Sequence, residues 1–545
     1  MLPFLALLSD SEAISRFPLV HRLFISAGRQ TVADQLLWAT VLFISVTLAA
    51  AAVRMLLLWY SVRFTYALGA ELSQQIYRRT LYQPYVYHVT RNSSEVLAGI
   101  SKVATVIGGV ISPLVQGVVA LVVASAILLG LFVIDPATAS MAGGGFAVLY
   151  LLVGRLTRRG LSRAGKVVAE TEDKRIQSVQ EGLGGIRDVL IDGTHEIYLD
   201  QFALFDRRQR TAMATGAFIG SAPRYVIEAL GMTLIAAIAL WLSQGKGGLS
   251  AAVPVLGALA IGAQKLLPQM QLVYQGWATA SGNWASLQDV LDLLAQEIPP
   301  EYSQPVHARD VHLTRELVLE NLVFRYPNGH AKALRGISLR IAKGSRVGFI
   351  GKTGGGKSTL IDLIMGLLEP TSGTIRIDDV VLSARNRRAW HQRIAHVPQS
   401  IYLADASIAA NIAFGVPAAQ IDMRRVAQAA EGAQIADFVA TLPMGFQTPV
   451  GERGARLSGG QRQRIGIARA LYKGAEVLVL DEATSALDDA TESAVMKAID
   501  SLHDDVTILM VAHRLSTLKQ CDVIFEIEEG SLKRAPDLAT VGPAG

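Results

Sequence analysis

A single cysteine, Cys521, stands among 545 residues, which excludes an internal disulfide framework and reads as one small buried side chain. Charge is scarce as well. Asp, Glu, Lys and Arg make up 18% of the chain, against about 25% in an ordinary soluble protein. Basic residues interleaved with aromatics along one face are missing, which argues against a nucleic-acid partner. The opening MLPFLALL has no basic segment ahead of it, so it is not a signal peptide, and it is too short to span a bilayer. No internal repeat is present.

What is abundant is apolar surface, at 51% of residues, and it is unevenly spread. Five segments have the length and apolarity of membrane helices, near 36–60, 108–134, 137–154, 225–243 and 249–272. The second and third meet at IDPAT, and the fourth and fifth at SQGKGG. Both are short turns with little charge, which places them outside. The connections 61–107 and 155–224 are polar and helix-compatible. They carry the basic residues Arg63, Arg78, Arg79, Arg155, Arg158 and Arg159, and the positive-inside rule puts them in the cytosol. The net charge of +5 follows from the same bias. Residues 9–35 read as an external loop, with SRFPLVHRLF either an amphipathic helix on the membrane surface or part of a plain disordered terminus.

The expected organisation is a membrane domain over 1–294, a proline-bearing linker over 295–315, an α/β domain over 316–535 and a disordered tail over 536–545. The α/β domain carries the chemistry. GKTGGGKST, residues 351–359, follows the apolar run RVGFI and precedes LIDLIMGLL, so strand, glycine loop and helix stand in the order a phosphate-binding loop requires. The loop residues Gly351, Lys352, Thr353, Gly354, Gly355 and Gly356 turn backbone N–H groups onto phosphates. Lys357 reaches the β- and γ-phosphates, and the Ser358 hydroxyl, beside Thr359, can hold Mg²⁺. VLVLDE, residues 477–482, is a strand ending in two carboxylates. Asp481 suits Mg²⁺ through water, and Glu482 suits a general base acting on the attacking water.

Between them lies LSGGQ, residues Leu457, Ser458, Gly459, Gly460 and Gln461, and here the chain resembles an ATP-binding cassette domain. That resemblance implies roles for further residues. Tyr326 stacks on adenine, Gln399 touches metal and water, Asp488 in SALD lies on the loop crossing between cassettes, and His513 contacts the γ-phosphate. LSGGQ grips ATP held by a second cassette, so two cassettes are required and this chain supplies one. The expected partner is a second copy, or else a similar half-transporter.

A cassette fused behind membrane helices resembles an ABC exporter half-transporter, with a helical membrane domain followed by an α/β P-loop NTPase. That pattern has six helices per chain. The sequence supplies five spans plus an N-terminal stub, an expectation of an internal start or a truncated form. Coupling elements are expected near 82–95 and 192–202.

Three cations sit in the apolar segments: Arg54, Arg224 and Lys265. A charge at mid-bilayer costs about 2.5–3.5 kcal/mol on insertion scales. Snorkelling to the headgroups or ion pairing is one account, and Glu228, one turn from Arg224, is the obvious counter-charge. A cavity receiving a phosphate or pyrophosphate is the other. PRYVIEALGM, KLLPQ and NSSE resemble bacterial exporters that flip lipid-linked oligosaccharides, which implies a polyprenyl-pyrophosphate substrate, a bacterial inner membrane and a cytoplasmic cassette. An exporter of drugs, lipids or peptides is the alternative, and a cassette-gated membrane regulator a more distant one. A soluble cassette protein is excluded by the five spans.

Overall fold

A computed structural model describes residues 32–91, 93–134, 136–243, 248–303, 311–327, 329, 331–483, 489–500, 506–511, 518 and 521–534. The N-terminal stub, most of the 9–35 loop, most of SQGKGG, the SALD loop with Asp488, His513 and the tail lie outside the described residues. The chain divides into two compact bodies. One joins 1–81 with 92–297, and the other joins 82–91 with 298–545.

The first body is helical. Its elements are α1 (Val32–Leu81), α3 (Ser93–Val106), α4 (Ser112–Ile134), α5 (Pro136–Gly184), α6 (Ile186–Asp192), α7 (His195–Ser243), α8 (Gly248–Gly282) and α9 (Trp284–Leu294). The short α2 (Tyr85–Thr90) belongs to the second body. A π-helical turn, Ile107–Ile111, joins α3 to α4. The segments 36–60, 137–154 and 225–243 lie inside long helices, α1, α5 and α7, that run on into the polar, basic connections, while 108–134 is made by the π-helical turn with α4 and 249–272 lies within α8. At 49 residues α5 measures about 74 Å, well over twice a bilayer's hydrocarbon thickness. Along α1, Leu48 and Met55 are 65% and 69% exposed, and such outward apolar surface on a helix suits hydrocarbon rather than water. Windows over Leu37–Leu81 and Val96–Phe132 reach mean hydropathies of 2.3 and 2.5.

Small residues let these helices approach. A Cβ at Gly276 of α8 would lie 2.5 Å from the carbonyl oxygen of Pro113 on α4, so only glycine fits that crossing. One apolar cluster gathers Phe146, Tyr150, Leu161, Ile227 and Tyr274, and a second gathers Ile76, Val103, Val106 and Val290. Gly193, left-handed at φ 66°, turns the chain between α6 and α7 within the 192–202 stretch.

Beside the second cluster, Lys102 is buried at 3% exposure. Its ammonium sits 2.8 Å from Asp173 of α5 and 2.7 Å from Asp289 of α9. One cation thus ties three helices, and both acids keep part of their surface in solvent.

The second body is built on two sheets. The strands are β1 (Glu316–Phe324), β2 (Leu334–Ala342), β3 (Arg346–Ile350), β4 (Ser372–Ile377), β5 (Val380–Val381), β6 (Ile394–Val397), β7 (Val477–Asp481), β8 (Thr507–Val511), β9 (Val523–Glu528) and β10 (Ser531–Arg534). An antiparallel sheet has the order β2-β1-β4-β5. A six-stranded sheet has the order β10-β9-β3-β8-β7-β6, parallel from β9 to β6. The central parallel strands β7 and β8 read as near-continuous apolar runs because they are covered on both faces, and every residue of β8 is buried. Val311 and Leu313, at the end of the linker stretch, are part of this body's core.

Removing the Lys102 ammonium leaves two carboxylates facing each other. Lys102→Met is expected to cost about 2 kcal/mol, below the usual 3–5 for a fully buried pair because both acids are half-solvated. Lys102→Met combined with Asp289→Asn should recover part of it. Thermal unfolding in lipid nanodiscs reads the effect, and an unchanged midpoint for Lys102→Met would show that the triad holds nothing together.

Candidate nucleotide site

The glycine loop leaves the end of β3, a central strand flanked by β8 and β9, and enters α10 (Lys357–Ile364). Gly351 has φ 141°, and a Cβ there would lie 2.1 Å from the carbonyl oxygen of Ile527, so a side chain is excluded by conformation and by space. Gly354 and Gly356 are also left-handed. The loop closes around its own lysine. Lys357 is 7% exposed and its ammonium donates to the carbonyl oxygens of Gly351 at 2.6 Å and Lys352 at 3.1 Å. No carboxylate pairs with it among the described residues.

Acids gather a short way off. Asp481 ends β7, and Glu482 follows in left-handed backbone at φ 49°. An ordinary residue pays strain there, which persists only where neighbours hold it. Three contacts do so. The Glu482 N–H donates to Val511 O at 2.9 Å, the Gln463 amide donates to Glu482 O at 3.1 Å, and the Gln399 amide donates to the Glu482 carboxylate at 2.6 Å. Gln399 and Glu482, 83 residues apart in sequence, are therefore brought into direct contact. The donation uses the amide nitrogen of Gln399 and leaves its oxygen available.

Asp362, on α10, was not singled out by sequence. Burial, then the nearby Asp481 carboxylate, pushes its own carboxyl up to about 6. Two acids this close mark a place where positive charge is welcome. The hard oxygen donors Ser358, Asp481 and Gln399 suit Mg²⁺, which takes few protein ligands and keeps water.

Tyr326 follows β1. Its hydroxyl lies 3.3 Å from that of Thr359, and its ring meets Phe324 edge-on with centroids 4.9 Å apart. The α2 segment joins this neighbourhood. Val86 packs on the cassette core, Tyr82 meets Tyr302 at 5.1 Å, and the Tyr85 phenol is pushed up by burial, then by Asp362 and Tyr326. Sequence put a coupling element at 82–95 but gave no sign that Tyr85 lies beside the aromatic that follows β1.

Ser458 is the N-cap of α11 (Gly459–Lys473). Its side chain accepts from the Gln461 N–H at 3.2 Å, and the Gln461 side chain accepts from the Ser458 N–H at 2.8 Å, a reciprocal capping box. Ser458 and Gly459 are exposed, so this helix N-terminus, with its positive dipole end, faces outward. The described part of the site thus holds the phosphate loop, the two strand-end acids, Gln399 and Tyr326, while Asp488 and His513 lie outside the described residues.

In the first body Arg54, Arg224 and Lys265 are all exposed, and none makes a hydrogen bond or ion pair among the described residues. The expected Arg224–Glu228 pair does not form: one turn apart on α7, both side chains point out of the packed cluster rather than into each other.

Two family profiles match: one described as the ABC transporter transmembrane region over residues 13–250, and one described as ABC transporter over residues 334–485. An ATP-dependent lipid A-core flippase of Cupriavidus metallidurans is 30% identical over 472 residues, 84% of this chain and 77% of that protein. Another of the same name, from Ralstonia nicotianae, is 32% identical over 480 residues, 85% of this chain and 78% of its own length. A solved bacterial Atm1-family ABC exporter with ATP bound superimposes with a TM-score of 0.79 at 24% identity, over 97% of this chain and 93% of that one, a likeness of fold.

Because folding raises the pKa of Asp362, the folded cassette binds more protons than the unfolded chain between about pH 4 and 6. Stability therefore falls as pH climbs through that window. Asp362→Asn removes the repulsion. It should raise stability at pH 7.5 by roughly 1 kcal/mol after solvent screening, and make no difference below about pH 4. Thermal unfolding of the full protein without nucleotide at both pH values checks the sign; a variant that destabilises at pH 7.5 contradicts it.

Proposed function

The chain belongs to the ABC transporter family, as an exporter with its membrane region and ATP-hydrolysing cassette fused, and from that premise we propose that it flips an anionic lipid-linked substrate across a bacterial inner membrane. The observation that carries the cargo is the trio of membrane-helix cations, Arg54, Arg224 and Lys265, left without hydrogen bond or ion pair among the described residues. At about 2.5–3.5 kcal/mol each, unpaired cations in hydrocarbon are tolerated where they face a water-filled path or a travelling anion. A polyprenyl-pyrophosphate oligosaccharide fits, its pyrophosphate meeting guanidinium and ammonium groups while its tail stays in the bilayer. A phosphate-bearing lipid A-core glycolipid is the second reading, supported by the names of the relatives. A drug or peptide exporter would be indifferent to these cations.

The motor works through residues already placed. The Lys357 ammonium exchanges the Gly351 and Lys352 carbonyls for the β- and γ-phosphates of ATP, gaining a charged partner for neutral ones. Tyr326 offers its ring to the base. Ser358, Asp481 and the free amide oxygen of Gln399 would hold Mg²⁺, which when bound neutralises phosphate charge. Glu482, strained and steered by the Gln399 amide, takes a proton from the attacking water. The outward N-terminus of α11, with Ser458, grips the γ-phosphate on a second copy's cassette, so two ATP lie at a homodimer interface. Loss of the γ-phosphate removes that grip and resets the pair. Asp488 and His513 complete the site in the roles their motifs imply.

In proteoliposomes, Glu482→Gln should lower ATP hydrolysis by roughly 10²–10³-fold, keep ATP binding and stop flipping. Arg54→Ala, Arg224→Ala and Lys265→Ala should each slow flipping of a labelled polyprenyl-pyrophosphate sugar or lipid A-core glycolipid by about tenfold, with basal hydrolysis unchanged. Flipping that survives all three changes means the cargo is not held by these cations, while the motor assignment stands.

A further inference from the structure

Pro223 stands inside α7. A proline there has no N–H for the carbonyl of the residue four places before it, and it bends the helix. That carbonyl belongs to Ile219. Ile219, Pro223 and Ile227 recur at every fourth position and so share one face of α7. Pro223 and Ile227 are buried, while Arg224 and Tyr225 are exposed. The freed carbonyl therefore opens on the packed side of the helix, against the cluster that holds Phe146, Tyr150 and Tyr274, where water cannot serve it cheaply.

Tyr274 of α8 supplies the missing donor. Its hydroxyl lies 3.3 Å from Ile219 O and 3.1 Å from the Thr157 hydroxyl of α5. The ring is 4% exposed and is fixed between Tyr150 and Trp277, with centroids 5.9 and 5.8 Å away. Two hydroxyl protons serve this chain of oxygens. Thr157 donates to Tyr274, and Tyr274 donates to Ile219 O. Val153 O, 2.8 Å from Thr157 Oγ1, lies inside α5 and has its backbone donor already. Helices α5 and α7 come close at the same place, where a Cβ at Gly160 would lie 2.9 Å from Ile219 Cδ1.

The three linked residues stand at matching points on their helices. Thr157 follows the apolar segment 137–154, Tyr274 follows 249–272, and Pro223 precedes 225–243. Each helix is thus tied to the others where it leaves its apolar segment. A bend at this point sets the angle between the two halves of α7, and Arg224 is the next residue after it.

We infer that Tyr274 is a positioning residue for transport: its hydroxyl stands in for the N–H that Pro223 lacks, pins α7 to α5 and α8 at the bend, and so sets where Arg224 is presented. Its bearing on transport rests on the reading of Arg224 as a cargo contact.

Tyr274→Phe keeps the ring and removes only the hydroxyl. Thermal unfolding of the full chain in lipid nanodiscs tests the pin itself, through a double-mutant cycle with Pro223→Ala, which restores a backbone donor for Ile219 O. Tyr274→Phe should lower the midpoint by about 2 °C in the native background and leave it unmoved in the Pro223→Ala background. Equal losses in both backgrounds, or no loss in either, overturn the inference. In proteoliposomes, the labelled polyprenyl-pyrophosphate sugar or lipid A-core glycolipid molecules flipped per ATP hydrolysed should fall about fivefold in Tyr274→Phe, with basal ATP hydrolysis unchanged. Added to Arg224→Ala, the same change should cause no further fall. Native flipping per ATP in Tyr274→Phe makes Tyr274 a packing residue and overturns the positioning role, as does a full further fall on top of Arg224→Ala. If native protein flips neither lipid, the cargo reading fails by itself and the unfolding cycle still decides the pin.

Discussion

A buried ammonium held by two backbone carbonyls, with no carboxylate to pair it among the described residues, is the constraint on which the cassette turns. Lys357 could have been neutralised by an acid, as buried lysines usually are. It is held instead by the neutral oxygens of Gly351 and Lys352, in a loop whose glycines are demanded by the close approach of Ile527 O. Meanwhile Asp362, on the helix that follows the loop, is pushed up to about 6 by burial and then by the Asp481 carboxylate, so negative charge is disfavoured there. Opposite charges kept apart inside one site are unfavourable until something arrives to bridge them. A nucleotide with its divalent cation bears both signs, negative for the lysine and positive for the acids.

The membrane body follows the same logic with different solvents. Where a charge has a permanent structural task, it is paired: Lys102 is sealed between Asp173 and Asp289, tying α3, α5 and α9. Arg54, Arg224 and Lys265 lack such partners among the described residues, and even Glu228, one turn from Arg224, is not recruited. Satisfying a cation permanently and leaving it for a passing anion are mutually exclusive uses, so the pattern of pairing, more than burial, is what supports the proposed cargo.

Much of this was legible in the sequence because the motifs are local. A glycine loop needs its strand, turn and helix in one contiguous run, and a membrane helix needs about twenty apolar residues in a row; neither depends on distant partners. Thus all five apolar segments are helical, and Lys357, Asp481 and Ser458 sit at a strand–loop–helix junction, a strand end and a helix N-cap. What could not be read was long-range. The Gln399–Glu482 hydrogen bond spans 83 residues, and the left-handed backbone of Glu482 is imposed by Val511 and Gln463 rather than by its own neighbours. The Lys102 triad joins residues up to 187 apart in sequence. Residues 82–91 fall in the stretch expected as a coupling element, but the partners that group them with the cassette body, for Val86 the apolar core and for Tyr82 the distant Tyr302, could not be read from it.

That last displacement bears on how hydrolysis can be felt outside the cassette. Tyr85 lies close enough to Asp362 and Tyr326 to share their electrostatic field, and Asp362 shares that of Asp481. The chain on either side of α2 enters α1 and α3, which belong to the other body. Residues 82–91 are thus packed on the cassette while the chain on either side of them continues into helices of the first body. In this ten-residue stretch packing allegiance and chain connectivity therefore point in different directions, which is the arrangement expected of a coupling element.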